Sequence, residues 1–198
     1  MHIYPLVCVL TAFLSNVAIG WMPGVDKQLI AKDGTNLFSS DPAASLFKRA
    51  SKRPSLPSKV RGVNLGCLFV FEPWMAEAEW KTMGCGNSES EFDCVKKLGQ
   101  NKANSAFQNH WNTWITQADI QNITSLGLNT VRIPVGFWMM QDLVYKNEFF
   151  PQGGLQYLEQ VCGWASDAGL FIIIDMHGAP GAQQSDNSET GQVGKLFS

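Results

Sequence analysis

Three polar side chains stand at the edges of apolar runs in this chain. Glu72 opens Glu72-Pro73-Trp74, Arg132 interrupts Thr130-Val131-Arg132-Ile133-Pro134, and His177 follows Asp175-Met176 ahead of Gly178-Ala179-Pro180-Gly181. An arginine flanked by Val and Ile is costly to bury without a partner. Arg132 therefore has two readings. It caps carbonyls or meets a structural acid, or its guanidinium holds a functional carboxylate ionised and oriented. His177 reads as a core histidine with its hydrogen bonds met, or as a group that binds a hydroxyl or tunes a neighbouring carboxylate. No Ser or Cys nucleophile accompanies it in a recognisable motif. Asp175 is placed to hold the following loop or the His177 ring, and Asn64 follows the first apolar run. Work of this kind calls for no cofactor. A zinc site is disfavoured, because no CxxC or close Cys/His cluster occurs.

The elements that must position these groups alternate along the chain. Residues 60–65 form a short apolar strand candidate. A long loop over 66–88 follows, then a short helical stretch near 89–98 and another over 101–111. Thr116, with Asp119 three residues on, resembles a capping box. Ile120, Ile123 and Leu126 continue a helical stripe, and Gly127 supplies a C-cap. Residues 129–133 read as an extended run closed by Pro134. Leu155, Leu158, Val161, Cys162 and Ala165 recur at helical spacing up to Gly169, and 171–174 is an unbroken apolar run bounded by Asp175. Strand, helix, strand, helix, strand is the pattern of parallel βαβ units in an α/β fold. The strand runs do not alternate, which suits burial on both faces, and right-handed crossovers set the strands side by side. Ligands of such sheets bind at the carboxyl ends of the strands. Asn64, Glu72, Arg132, Asp175 and His177 are thus expected on one rim.

With 198 residues and a formal net charge of −2, the chain suffices for one ordinary domain and gives no electrostatic reason to bind nucleic acid. Residues 3–13 are an apolar stretch of signal-peptide length, and Ala18-Ile19-Gly20 supplies small residues before a cut ahead of Trp21. A membrane anchor is the competing reading. It needs about 18 apolar residues, and Ser15-Asn16 interrupts the run. Residues 1–20 are expected to be a signal peptide, which makes the chain secreted, extracellular or in a cell wall, with no membrane partner after cleavage. Residues 21–58 are rich in Ser, Pro, Ala and Lys and read as a pro-segment or linker. Their Lys48-Arg49 and Lys52-Arg53 pairs are processing sites or solvated charges. Cys67, Cys85, Cys94 and Cys162 remain after the cut. Cys85 and Cys94 flank a polar loop and are the preferred bridge, while Cys162, on the apolar face of a predicted helix, reads as a buried free thiol. Asn122-Ile123-Thr124 is the one glycosylation sequon.

Taken together, Arg61-Gly62-Val63-Asn64-Leu65-Gly66 with Glu72-Pro73-Trp74, then residues 128–138, then Ile174-Asp175-Met176-His177-Gly178-Ala179-Pro180-Gly181-Ala182-Gln183 resemble the fungal exo-1,3-β-glucanases of glycoside hydrolase family 5. The resemblance covers about residues 60–192. It implies a TIM (β/α)8 barrel, of which 59–198 would be the N-terminal part, about the first three β/α units. It implies retaining hydrolysis of β-1,3-glucan, with the polysaccharide or oligosaccharide as partner. It implies that Arg132 and His177 support the nucleophile and the sugar, and that Glu72 binds sugar hydroxyls. Asn64, Trp138 and Asp175 complete the substrate-binding candidates. The chain departs from the pattern at Cys67-Leu68, where relatives usually carry Gly-Trp.

Retaining glycosidases need two carboxyls about 5–5.5 Å apart. The resemblance puts the acid/base Glu after an Asn at the end of a fourth strand and the nucleophile at the end of a seventh. No Asn-Glu-Pro motif follows a strand here; Asn147-Glu148 falls in a loop and Glu189 in a polar tail. The 198-residue chain is therefore expected to be inactive and poorly stable by itself. The alternatives are a secreted, non-catalytic β-glucan-binding protein, or another family 5 activity on cellulose or mannan.

Overall fold

The computed structural model describes residues 57–182, 184 and 186–193. The expected signal peptide, both dibasic pairs and all of the 21–58 segment except its last two residues lie outside the described residues. Three strands, β1 (Gly62–Asn64), β2 (Thr130–Gly136) and β3 (Phe171–Gly178), form a sheet in the order β1-β2-β3, and both pairings are parallel. At Gly62 the strands approach so closely that a Cβ would stand 2.6 Å from the Thr130 carbonyl oxygen. A residue without a side chain is needed there.

Two strands run further than their apolar residues suggest. β2 continues through Pro134 instead of stopping before it. Proline removes one ladder N–H but keeps an extended φ. β1 already ends level with Arg132, so Pro134 lies where β2 has lost one neighbour, a position that tolerates it. β3 likewise passes through Asp175 and His177 to Gly178. These two residues are strand positions i and i+2 and so share a face. An irregularity in the pairing falls between Val135 and Gly136, opposite His177.

The helices are α1 (Glu77–Thr82), α2 (Glu91–Leu98), α3 (Gln100–Thr113), α4 (Gln117–Ser125) and α5 (Gly154–Asp167). α1 lies inside the stretch expected to be a loop. It is a single short segment with Glu77 and Glu79 in its first turn and Lys81 in its last, which suits the helix dipole. Thr116 and Asp119 form a reciprocal capping box at the start of α4, as their spacing predicts. Asn122 is exposed on that helix.

Val131, Ile133 and Val135 of β2 pack with Ala103, Phe107 and Trp111 of α3, Ile120 of α4, and Leu158, Val161 and Ala165 of α5. The opposite face carries Asn64, Arg132 and Ile173 in one row of the register, with Asp175 in the next. Among the described residues that face is not covered; Ile173 is 39% exposed and Asn64 is exposed. The expectation of strands buried on both faces is thus met on one face alone, because every helix that packs with the sheet joins the same core.

The Sγ atoms of Cys85 and Cys94 are bonded, tying the turn after α1 to α2. Cys67 and Cys162 carry free thiols, Cys67 buried and Cys162 only half-buried. Cys67 has φ +58, a left-handed backbone that favours glycine. That is the physical reason glycine suits this position in the family that the sequence resembles.

Candidate functional site

Arg132 organises the open face. Its Nη1 donates to Asn64 Oδ1 at 2.7 Å and its Nη2 to Asp175 Oδ2 at 2.6 Å. The same Asp175 oxygen lies 2.9 Å from His177 Nδ1, with Arg132 Nη2 3.3 Å from that ring nitrogen. A carboxylate oxygen only accepts, so the shorter contact, to Asp175 Oδ2, assigns the proton to His177 Nδ1. His177 Nε2 then faces outward, 3.6 Å from Glu189 Oε2. Asp175 is therefore an organiser: its Oδ2 holds the guanidinium and the imidazole in register. The side chains of this group are a quarter to two-fifths exposed, so ligand can reach them while water still screens their charges.

Glu72 reaches the rim from the loop after β1. That loop enters the core first: Leu68, Phe69, Val70 and Phe71 are all buried. Its end is pinned where the Phe71 N–H donates to Glu91 Oε1 at 2.8 Å and the Met75 and Ala76 N–H groups donate to the Glu72 carbonyl. The Glu72 side chain is 8% exposed. Burial holds its carboxyl above the usual range, the charge of Glu189 adds to that rise, and His177 and Arg132 draw it back. Glu72, Arg132 and His177 thus feel one another electrostatically.

Trp138 is placed otherwise than the sequence suggests. Its ring is 1% exposed, stacks on Phe150 at 4.6 Å and 7°, and fills a cradle where a Cβ on Gly136, Gly178 or Gly191 would stand 2.2–2.5 Å away. It offers no free face to a ligand; its contribution is to pack the strand ends. The exposed ring of this region is Trp74, at 69%.

Two residues of the site escaped sequence reasoning. Glu189, expected in a polar tail, sits on a 3-10 turn (Ser188–Thr190) beside the rim, where its Oε1 accepts from Trp74 Nε1 at 3.3 Å. Its spacing from any motif carries no signal, because an irregular loop delivers it. Glu91 looks like a solvated first-turn acid of α2 but is 1% exposed, and burial pushes its carboxyl up to about 8. The Trp138 indole lies near enough to favour its charged form, yet neither Glu91 Oε2 nor Trp138 Nε1 completes a hydrogen bond. Glu148 accepts from the Tyr145 N–H in the loop before α5.

This arrangement can hold a polyhydroxyl ligand through Asn64, Arg132, His177, Glu72 and Glu189 and can fix the charge of a carboxyl brought near Arg132. The family model described as Cellulase (glycosyl hydrolase family 5) matches residues 95–197. A Neosartorya fischeri protein named "Probable glucan endo-1,6-beta-glucosidase B" is 58% identical over 180 residues, 90% of this chain and 41% of that protein. A Blumeria graminis protein named "Glucan 1,3-beta-glucosidase" is 41% identical over 140 residues, 70% of this chain and 32% of that one. The crystal structure of rutinosidase from Aspergillus niger superposes with a TM-score of 0.63 at 24% identity, covering 70% of this chain and 38% of that chain, a likeness of fold. The chain spans about two fifths of the length of the first of these relatives. The three parallel strands agree with part of the (β/α)8 barrel that the family implies. With its match across half its length, its sheet and its strand-end polar array in agreement, this chain belongs to glycosyl hydrolase family 5.

Proposed function

We propose that the protein to which this chain belongs is secreted and hydrolyses a β-linked glucan with retention, and that this chain supplies the sugar-holding part of its site. The observation that carries the reading is the Asn64–Arg132–Asp175–His177 network at the carboxyl ends of parallel strands, with Glu72 beside it. Neutral sugars are bound through hydroxyls, and a fixed set of charged donors and acceptors recognises them without a metal or cofactor. Arg132 would hold a neighbouring carboxylate ionised, the state a nucleophile needs. The glucan linkage expected from the motifs is β-1,3. The relative with the higher identity and coverage is named for β-1,6, and β-1,6-glucan is therefore the first substrate we assign, with β-1,3-glucan second.

Reducing-end release from β-1,6-glucan and β-1,3-glucan tests this, using the full-length protein and the 198-residue chain side by side. Release by the full-length protein is expected. Its failure on both polymers, combined with retention of the protein on insoluble glucan, would favour a non-catalytic binding protein instead. The 198-residue chain contributes neither carboxyl of a retaining pair and is expected to show no turnover; laminarin hydrolysis above a buffer control would overturn that part.

A further inference from the structure

No motif accounts for Glu189, yet its position is built. Its N–H donates to Asn187 Oδ1 at 2.8 Å, and the Gly191 carbonyl accepts from the Phe92 N–H at 3.1 Å, fastening the loop to α2. The Thr190 hydroxyl between them is buried, 2.9 Å from the Asn187 carbonyl and 3.0 Å from that of Gln192. On this fixed backbone the carboxylate stands across the rim, Oε1 toward Trp74 Nε1 and Oε2 toward His177 Nε2. A carboxylate offers roughly four acceptor sites on its two oxygens. One contact to each oxygen leaves each with a lone pair, side by side, on a side chain that is 29% exposed.

Two adjacent acceptors of this kind match two adjacent hydroxyls of a pyranose ring. An internal unit of a β-1,6-linked glucan carries free hydroxyls at ring carbons 2, 3 and 4. An internal unit of a β-1,3-linked glucan has its position 3 tied up in the linkage and presents no neighbouring pair on its ring. We propose that Glu189 is a specificity-determining residue that receives two adjacent ring hydroxyls of an internal glucose unit and so favours β-1,6-linked over β-1,3-linked chains. The assignment rests on the glucan reading above and adds the linkage to it. Trp74 Nε1 holds the carboxylate in place through Oε1, and the carboxylate keeps its covalent state in this role.

The test uses the full-length protein, with E189Q and E189A compared to the unaltered protein for kcat/KM on β-1,6- and β-1,3-linked gluco-oligosaccharides of equal length. Glutamine keeps an acceptor for Trp74 Nε1 and preserves the loop while losing one of the two hydroxyl acceptors, and equal circular dichroism confirms that both variants fold. Losing a hydrogen bond to a charged group corresponds to about a tenfold or greater effect. The β-1,6 to β-1,3 ratio is expected to fall by that factor in E189A and less in E189Q, chiefly through KM. An unchanged ratio in both variants, with the unaltered protein active, would overturn the role of Glu189 alone. An unaltered protein that cleaves neither linkage would bring down the glucan reading and this assignment with it.

Discussion

Arg132 on β2 and Asp175 on β3 are joined by a hydrogen bond of 2.6 Å from Nη2 to Oδ2, across two parallel strands. The other arm of the guanidinium reaches Asn64 on β1 at 2.7 Å, so one planar group spans all three strands. Lysine has one compact charge and cannot make both contacts with the same geometry. R132K in the full-length protein is expected to lower glucan kcat/KM by about 10²-fold, the cost of misplacing a site by roughly an ångström. Thermal stability should change little, because the group is partly exposed and its ion pair is screened. A reducing-sugar assay and a melting curve together check this.

Glu91 makes stability depend on pH. Burial raises its carboxyl from 4.5 to about 8 in the folded chain. Between those values the folded state holds a proton that the unfolded state has released. Protonation thus favours folding, and the benefit, complete below pH 4.5, is lost as pH climbs through about 8. The slope is roughly 1.4 kcal/mol per pH unit within the window. E91Q, which keeps an acceptor for the Phe71 N–H, should abolish this component. Urea melts of both forms at pH 5 and pH 8 are expected to show the variant gaining relative stability at the higher pH.

The Trp138 cradle leaves no room for growth. A Cβ at Gly136 would stand 2.3 Å from the indole ring, which Gly178, Gly191 and Phe150 confine on other sides. G136A is expected to cost about 3 kcal/mol through overpacking. Because Gly136 ends β2 four residues beyond Arg132, glucan affinity should fall as well. Chemical denaturation, followed by titration with a glucan oligosaccharide, measures both.

Closing the loop between Cys85 and Cys94, nine residues apart, restricts the unfolded chain. The loop-entropy relation puts the gain at about 2–3 kcal/mol. Replacing both cysteines by serine, or reducing the bond, should lower the unfolding midpoint accordingly; a thiol count under denaturant should stay unchanged in the serine variant and rise by the Cys85 and Cys94 thiols on reduction.

The α/β order of elements was legible because local rules dictated it. The capping box at Thr116, the helical stripe on α5 and the apolar runs of β2 and β3 each carry a period that belongs to one element type. The strand ends were less legible. Pro134 and Asp175 look like stop signals, and each continued as strand because its neighbours in the sheet supplied the pairing. α1 was hidden because a helix of six residues is too short to show a period.

Residue type and order alone marked Glu72, Arg132, Asp175 and His177, since polar groups at the ends of apolar strands have few places to go. What tertiary structure decided was which of them meet and which outsiders join them. The i, i+2 geometry of β3 turned Asp175 and His177 to one face, and the register of β2 set Arg132 within reach of both. Glu189 arrived through an irregular loop, and Trp138, a site candidate in the sequence, was drawn into a cradle of glycines. Periodic elements report their faces in the sequence because their geometry repeats. Loops and packing do not repeat, so the neighbours they create exist only once the chain has closed around them.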